Sequence, residues 1–427
     1  MTDLAAVNFF ADEGVSQDPY EYWDYLREQG PVTREPHFGV VAVTGYQEVM
    51  AAFKDHDHFS AVNAIGGPFP PLPFTPEGDD IAEQIEAHRH EFPIHEHMVV
   101  MDPPAHERAR SLLSRLLTPR RLKENEDFMW QLVDSQIDQF IHNGRCEFLS
   151  EYAKPFATTA IIDLLGVPEA DRPEFLAALG AERPSGNVVG ALDGAPVGRD
   201  PLRYLDEKFA GYLAERRRDP RDDVLSGMAT ATYPDGSTPE LLEVVKPATF
   251  LFAAGQETVT KLLSAAVQVL ADRPEYQETL RQNPDGIPVF IEEALRMHSP
   301  TKVDFRLVRK STTLGGAHLK AGTIVMLCLG AANRDPRKFD DPHDFRPDRK
   351  NVREHIAFGR GIHTCAGAPL ARVEGQITVR RLLDRMRDIT VDEAVHGPLG
   401  ARRYTYDPTF LLRGLSELRM EFTAADQ

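Results

Sequence analysis

At 427 residues and a formal net charge of −18, the chain is long enough to bury a large core and too acidic for nonspecific nucleic-acid or anionic-membrane binding. Its three cysteines, Cys146, Cys328 and Cys365, are far apart and form no CxxC, which argues against a disulfide framework or zinc ribbon and fits a reducing compartment. No basic-apolar leader opens the sequence and no apolar run approaches about 18 residues, so the expectation is a cytoplasmic chain with no signal peptide and no membrane span.

In chain order, Tyr20, Trp23 and Leu26 predict a helix over 17–29, residues 39–43 a short strand, and 46–53 another helix. Between 61 and 100, Pro68, Pro70, Pro71, Pro73 and Pro76 with Gly66 and Gly67 exclude a continuous helix in the first part. Phe69, Leu72 and Phe74 are interleaved there, which suits either a lid or binding loop or a plain surface loop. His88, His90, His95 and His97 form two H-x-H pairs that suit a metal, but they lack a helical i, i+4 partner with an acid, and a solvated loop competes.

The stretch MDPPAHERAR, 101–110, reads as a helix start: Asp102 as cap, Pro103 and Pro104 in the opening turn, and His106 and Arg110 on one face. That His–Arg pair is suited to clamp an anionic group, with a plain exposed amphipathic helix as the alternative. Arg115, Arg120, Arg121 and Lys123 follow as a local basic patch, readable as a dock for an acidic electron-transfer partner or as a solvated face. Helical periodicity dominates 125–165, and the Gly/Pro-rich 184–201 is expected to be a loop. Ser237-Thr238-Pro239-Glu240 predicts the start of a long helix running to about 272, with Pro247 expected to bend it or to mark an irregular early segment.

Within that helix, Ala254-Gly255-Gln256-Glu257-Thr258 combines a missing side chain, a carboxyl and a hydroxyl. A flat cofactor could lie against Gly255, and a mid-helix hydroxyl bonded back to a carbonyl suits proton delivery. A packing glycine with a solvated acid is the bland alternative. Glu293 and Arg296 fall at i, i+3, with Arg349 in the later FRPDR as a third partner. Arg306, with Arg309 as competitor, precedes Gly315-Gly316 in a β-hairpin region. Next comes FGRGIHTCAGAPLAR, 358–372: Phe358, then Gly359, Gly361 and Gly367 around Cys365, His363 two residues before the cysteine, and a helix-forming run after it. Glycines admit tight backbone and a close flat ligand, and a helix N-terminus beside the sulfur favours thiolate.

The order F-G-x-G-x-H-x-C-x-G resembles the haem-binding loop of the cytochrome P450 family. The A-G-x-E-T step resembles that family's central-helix motif, and D-P-P-x-H-x-x-x-R, E-x-x-R and the later arginine follow in the family's order. Departures are minor: Pro247, and 302–305 (KVDF), where the family often has small apolar residues. The resemblance implies a mainly α fold with small β-sheets, one P450 domain over 1–427, and haem b between the long helix and the cysteine-loop helix. It implies Cys365 as proximal thiolate ligand. It also implies His106, Arg110, Arg306 and His363 on the haem propionates, and Glu293, Arg296 and Arg349 as a structural triad. Thr258, assisted by Glu257, would organise water and protons.

The implied reaction is insertion of one oxygen atom of O₂ into a C–H bond. Electrons would come from a separate ferredoxin and its reductase, since nothing resembles a fused reductase domain, and the chain is expected to be a monomer. A peroxide-driven variant and a non-catalytic haem sensor or carrier are the alternatives. Candidate pocket walls are Phe69, Leu72, Phe74, Val99, Phe250, Ala253, Ala254, Val303, Phe305 and Leu411, which suit a terpenoid, steroid or fatty-acid-like molecule. Lys302 or Asp304 would anchor a polar end, or be solvated.

Overall fold

The computed structural model describes residues 4–114, 117–175, 202–233 and 235–425. The helices that position the site are α1 (Tyr20–Gln29), α2 (Tyr46–Lys54), α3 (Ala105–Leu113), α4 (Pro119–Ile137), α5 (Lys154–Leu164), α6 (Arg203–Arg218), α7 (Leu241–Asp272), α8 (Ile287–His298) and α9 (Ala368–Arg385). Helix α7, with 32 residues, is about 48 Å long at 1.5 Å per residue. It packs on α3, α5, α6, α8 and α9, and its second half, from Val259 to Ala271, is buried on every face. A helix buried on every face is stable only inside a shell of other elements, which is how the largest core cluster is built.

The start of α7 differs from the sequence expectation. Glu240, not Ser237, is the N-cap, because Glu240 and Glu243 exchange side-chain bonds with each other's backbone N–H groups. The Ser237 hydroxyl turns instead to Asp235. Pro247 lies within an unbroken helix, in its second turn, where its missing N–H deprives only the Glu243 carbonyl of a partner. The expected cap at Asp102 is also different. Helix α3 begins after Pro104, and the buried Asp102 carboxylate accepts from Ser60 Oγ at 2.5 Å and Ala61 N at 2.9 Å, tying the helix entry to a strand.

A five-stranded sheet flanks the helices in the order β1 (Val32–Arg34), β2 (Val41–Val43), β8 (Ile324–Leu327), β5 (Asp304–Val308), β3 (Phe59–Ser60). Its strands are antiparallel except for β2 and β8. The predicted hairpin is β6 (Thr312–Leu314) against β7 (Ala317–Leu319), turning on Gly315 and Gly316, whose φ values are +56° and +84°. A third sheet orders β4 (Arg145–Glu147), β10 (Arg419–Ala424) and β9 (Met386–Val391). The expected loop at 184–201 and the expected basic residue Arg115 lie outside the described residues.

Candidate active site

Cys365 sits on a loop folded against α2. Gly359 and Gly361 have φ of +64° and +72°, and a Cβ on Gly361 would meet Phe53 O at 2.2 Å. Only glycine permits both the left-handed backbone and that approach. Cys365 N donates to Phe358 O at 2.9 Å, and α9 starts three residues after the cysteine with Gly367 as N-cap. The cysteine's surface opens into a cavity. Burial raises the thiol's pKa, while the N–H groups of Gly367 and Ala368 and the Arg110 charge pull it down. That balance suits a sulfur that becomes an anion when a cation is placed before it.

Basic groups collect around the same cavity. Arg110 donates to Thr364 O at 2.8 Å, and Arg306 to Asp304 Oδ1 at 2.7 Å, and both guanidinium groups line the space. The His106 and His363 rings lie 4.2 Å apart. Burial, then Arg110, depresses His106 to about 4; burial, then Arg306, depresses His363 to about 2. Both imidazoles are therefore neutral at pH 7. His106 is buried and neither ring nitrogen has a hydrogen-bond partner. An orphaned buried imidazole N–H beside two arginines marks a place prepared for an anion.

Across the cavity α7 contributes Phe250, Leu251, Ala254, Gly255, Thr258, Val259 and Leu262. Thr258 Oγ1 donates back to Ala254 O at 2.8 Å, the mid-helix bond that its sequence position suggested. Its neighbour Glu257 does not line the cavity. Lys261 lies 3.3 Å from Glu257 and 2.6 Å from Asp407, so this acid is engaged with a buried lysine.

The Cytochrome P450 family model matches residues 203–393. Cytochrome P450 144 of Mycobacterium tuberculosis is 35% identical over 387 residues, covering 89% of this chain and 85% of that protein. The solved substrate-free cytochrome P450 CYP150A6 of Mycobacterium marinum is 59% identical with a TM-score of 0.93, covering 99% and 100% of the two chains. The chain belongs to the cytochrome P450 family. CYP109E1 of Bacillus megaterium, solved in complex with corticosterone, is 26% identical with a TM-score of 0.79, covering 96% and 100%. P450 enzymes are haem b monooxygenases, and the expected mainly α P450 fold is the observed one.

The residues present fit haem b. A cavity-facing sulfur, the unpartnered His106 nitrogens and the guanidinium groups of Arg110 and Arg306 match a metal with two carboxylates at its edge. Arg309, the competing arginine, turns away and donates to Asp57 O. Phe358 and Gly359 line the cavity, with the Arg372 guanidinium 4.7 Å from the Phe358 ring centroid.

Only part of the expected wall is in place. Val99, Phe250 and Ala254 line the cavity, and Ala253 packs into the main core beside it. Phe69, Val303, Phe305 and Leu411 do not line it. They belong to an aromatic cluster in which Phe69 meets Phe10 and Phe38 at centroid distances of 5.6 and 5.1 Å. Leu72 and Phe74 cover Val62, Ile81, Ile85 and Phe92. The proline-rich stretch thus packs its apolar side chains onto the sheet side of the molecule and away from the site. Lys302 is fully buried and donates to Ser16 O, so it is neither solvated nor at the cavity, whereas Asp304 does line it.

The four histidines do not converge. His88 pairs with Glu91 at 2.6 Å and His97 is buried 6.0 Å from the Phe250 ring. Among the described residues no group of three His, Cys, Asp or Glu is placed to hold a metal ion. The basic stretch after α3 is balanced on its own helix: Arg120 and Arg121 both reach Glu124, and Lys123 reaches Asp127 at 2.9 Å.

Glu293, Arg296 and Arg349 meet as expected. Arg296 grips Glu293 with bonds of 2.8 and 2.7 Å, Arg349 Nε adds one at 3.0 Å, and the Glu293 and Arg296 side chains are fully buried. Two features escaped the sequence reading. Glu292 holds His355 at 2.9 Å and Arg372 at 2.5 Å, bracing the cysteine loop from behind; burial works to raise its pKa, but His355 and Arg372 bring it to about 2. Glu374 lines the cavity, and burial raises its pKa well above the carboxylate range. The signal for Glu374 was its place on the helix after the cysteine loop, in LARVE, which reads as an ordinary surface pattern until α7 covers it.

Proposed function

We propose that the chain hydroxylates a lipophilic small molecule, of terpenoid, steroid or fatty-acid type, with electrons from a separate ferredoxin and its reductase. The observation that carries the reading is the facing of Cys365 and Thr258 across one largely apolar cavity rimmed by Arg110, Arg306 and His363, with His106 packed behind His363. When bound, haem supplies the oxygen-activating and hydroxylating chemistry. Cys365 would ligate its iron, with the Gly367 and Ala368 N–H groups stabilising the thiolate. His106, Arg110, Arg306 and His363 would hold its propionates, with Gly255, Phe358, Gly359 and Gly367 close to its plane.

Thr258 is the hydroxyl that holds water and passes a proton on the α7 side of the cavity. Glu257 can recharge it only by exchanging its contact with Lys261, which has Asp407 as a second partner. Met98, Val99, Leu113, Ile161, Phe250 and Leu251 exclude bulk water and favour an apolar substrate. No described helix is long and apolar enough to cross a membrane; that the enzyme is cytoplasmic, monomeric and one domain is part of the same proposal. The ferredoxin would dock near the cysteine loop, where Ile362, α3 residues Glu107 and Ser111, and Ser114 just after α3 border a shallow hollow.

The test is a visible-absorption titration of the haem-loaded protein with terpenoids, sterols and fatty acids. A saturable low-spin to high-spin shift of the Soret band with one class, followed by a hydroxylated product, is the expected result. No haem spectrum after reconstitution would overturn the reading.

A further inference from the structure

A second cavity, of about 350 Å³, continues the first along the same elements. On α7 the outer space takes Leu242, Glu243, Lys246 and Pro247, and the inner begins at Phe250. On α3 the outer takes Ala105, Arg108 and Ala109, and the inner takes Arg110 and Leu113. Met98 lines both. Roughly 18 Å of helix separates Lys246 from Thr258, at 1.5 Å per residue. The size of the outer cavity lies within the range of small-molecule sites.

Its apolar surface comes from Met98, Met101, Leu242 and Pro247, with Leu242 54% exposed at the edge. Its charged groups are nearly all engaged. Lys246 bridges Glu96 at 2.9 Å and Asp206 at 2.6 Å, and Glu243 accepts from Glu240 N at 2.8 Å. Arg108 differs. Its guanidinium lies 3.9 Å over the Tyr233 ring and hydrogen-bonds that side chain, and among the described residues no carboxylate forms an ion pair with it. Nearby Asp235 spends its carboxylate on Ser237.

A guanidinium seated over an aromatic ring, with no carboxylate paired to it, still has N–H groups to offer a planar anion. We infer that the outer cavity is the head-group site for a long-chain carboxylic acid, with Arg108 taking the carboxylate and the chain passing Met98 into the haem cavity. This rests on the proposed lipophilic-substrate reading and selects one class within it. Arg108 is solvent-exposed, so its replacement leaves the core untouched.

The experiment compares decanoate with decan-1-ol on the haem-loaded enzyme. Calorimetry reads binding anywhere, and the Soret shift reads entry of the chain into the inner cavity. Arg108→Gln is expected to weaken decanoate about fivefold, the scale of a partly solvated ion pair, and to leave decanol unchanged. Arg108→Lys should restore part of the loss. Met98→Trp should keep calorimetric binding of decanoate and abolish its Soret shift. If Arg108→Gln affects acid and alcohol equally, or neither, the head-group site is wrong even where other lipophiles shift the band. If no lipophile shifts the band, the substrate reading fails, and the calorimetric comparison still decides on Arg108 by itself.

Discussion

Cys365 carries the chemistry at the scale of single residues, and it depends on two N–H groups and on glycines that no other residue replaces. Cys365→Ser should give a protein whose carbon monoxide complex lacks the thiolate-type Soret band, a spectrum that checks ligation without turnover. Thr258→Ala should lower product formed per O₂ consumed and release peroxide instead; unchanged coupling would remove Thr258 from the proton path. Glu292 offers a pH test. Its pKa is lowered from 4.5 to about 2 on folding, so its stabilising pairing is complete above 4.5 and lost as pH falls from there towards 2. Denaturant midpoints of the native protein and Glu292→Gln should therefore converge as pH drops through that window. A gap independent of pH would mean the carboxylate charge is not what His355 and Arg372 hold.

Among the elements, the triad joining α8 to the segment before the cysteine loop matters most. Glu293 is buried against two arginines, so Glu293→Ala strands two cations and should cost about 3–5 kcal/mol in urea unfolding. Helix α7 shows how far local signals reach. Its burial follows from apolar residues on most sides, and Gly255 and Thr258 sit where the pattern put them. Its start was misplaced because Ser237 and Glu240 are both competent caps, and only the reciprocal bond with Glu243 chooses between them. The basic stretch on α4 looked unpaired because the acids lie after it in sequence; one helical turn brings Glu124 and Asp127 back to the arginines and the lysine. Arg121→Glu should consequently change ferredoxin-supported turnover less than Ile362→Glu, which lies on the cysteine loop. Steady-state rates at several salt concentrations check this.

For the molecule as a whole, the P450 fold places a thiol, two arginines, a neutral histidine and a helix hydroxyl around one space, drawn from positions between 110 and 365, with His106 packed behind His363. Much of that was legible in the sequence. Glycines at fixed offsets from Cys365 specify a loop that only glycine can form, and spacing on α3 and α8 puts His106 with Arg110, and Glu293 with Arg296, on common faces. These are local rules, fixed by backbone sterics and helical period. The walls were not legible. Phe69, Phe305 and Leu411 have the composition of a pocket lining but join Phe10 and Phe410 in a separate core, while Ile161 and Leu113, which carried no local signal, face the cavity. Which apolar side chain meets the substrate is decided by how helices and sheet pack against one another, because burial is non-directional and any neighbouring surface can cover a phenylalanine. The sequence by itself determined the family, the ligand loop and the helix faces; the tertiary structure decided the cavity walls, the partner of each buried charge, and the outer cavity at Arg108.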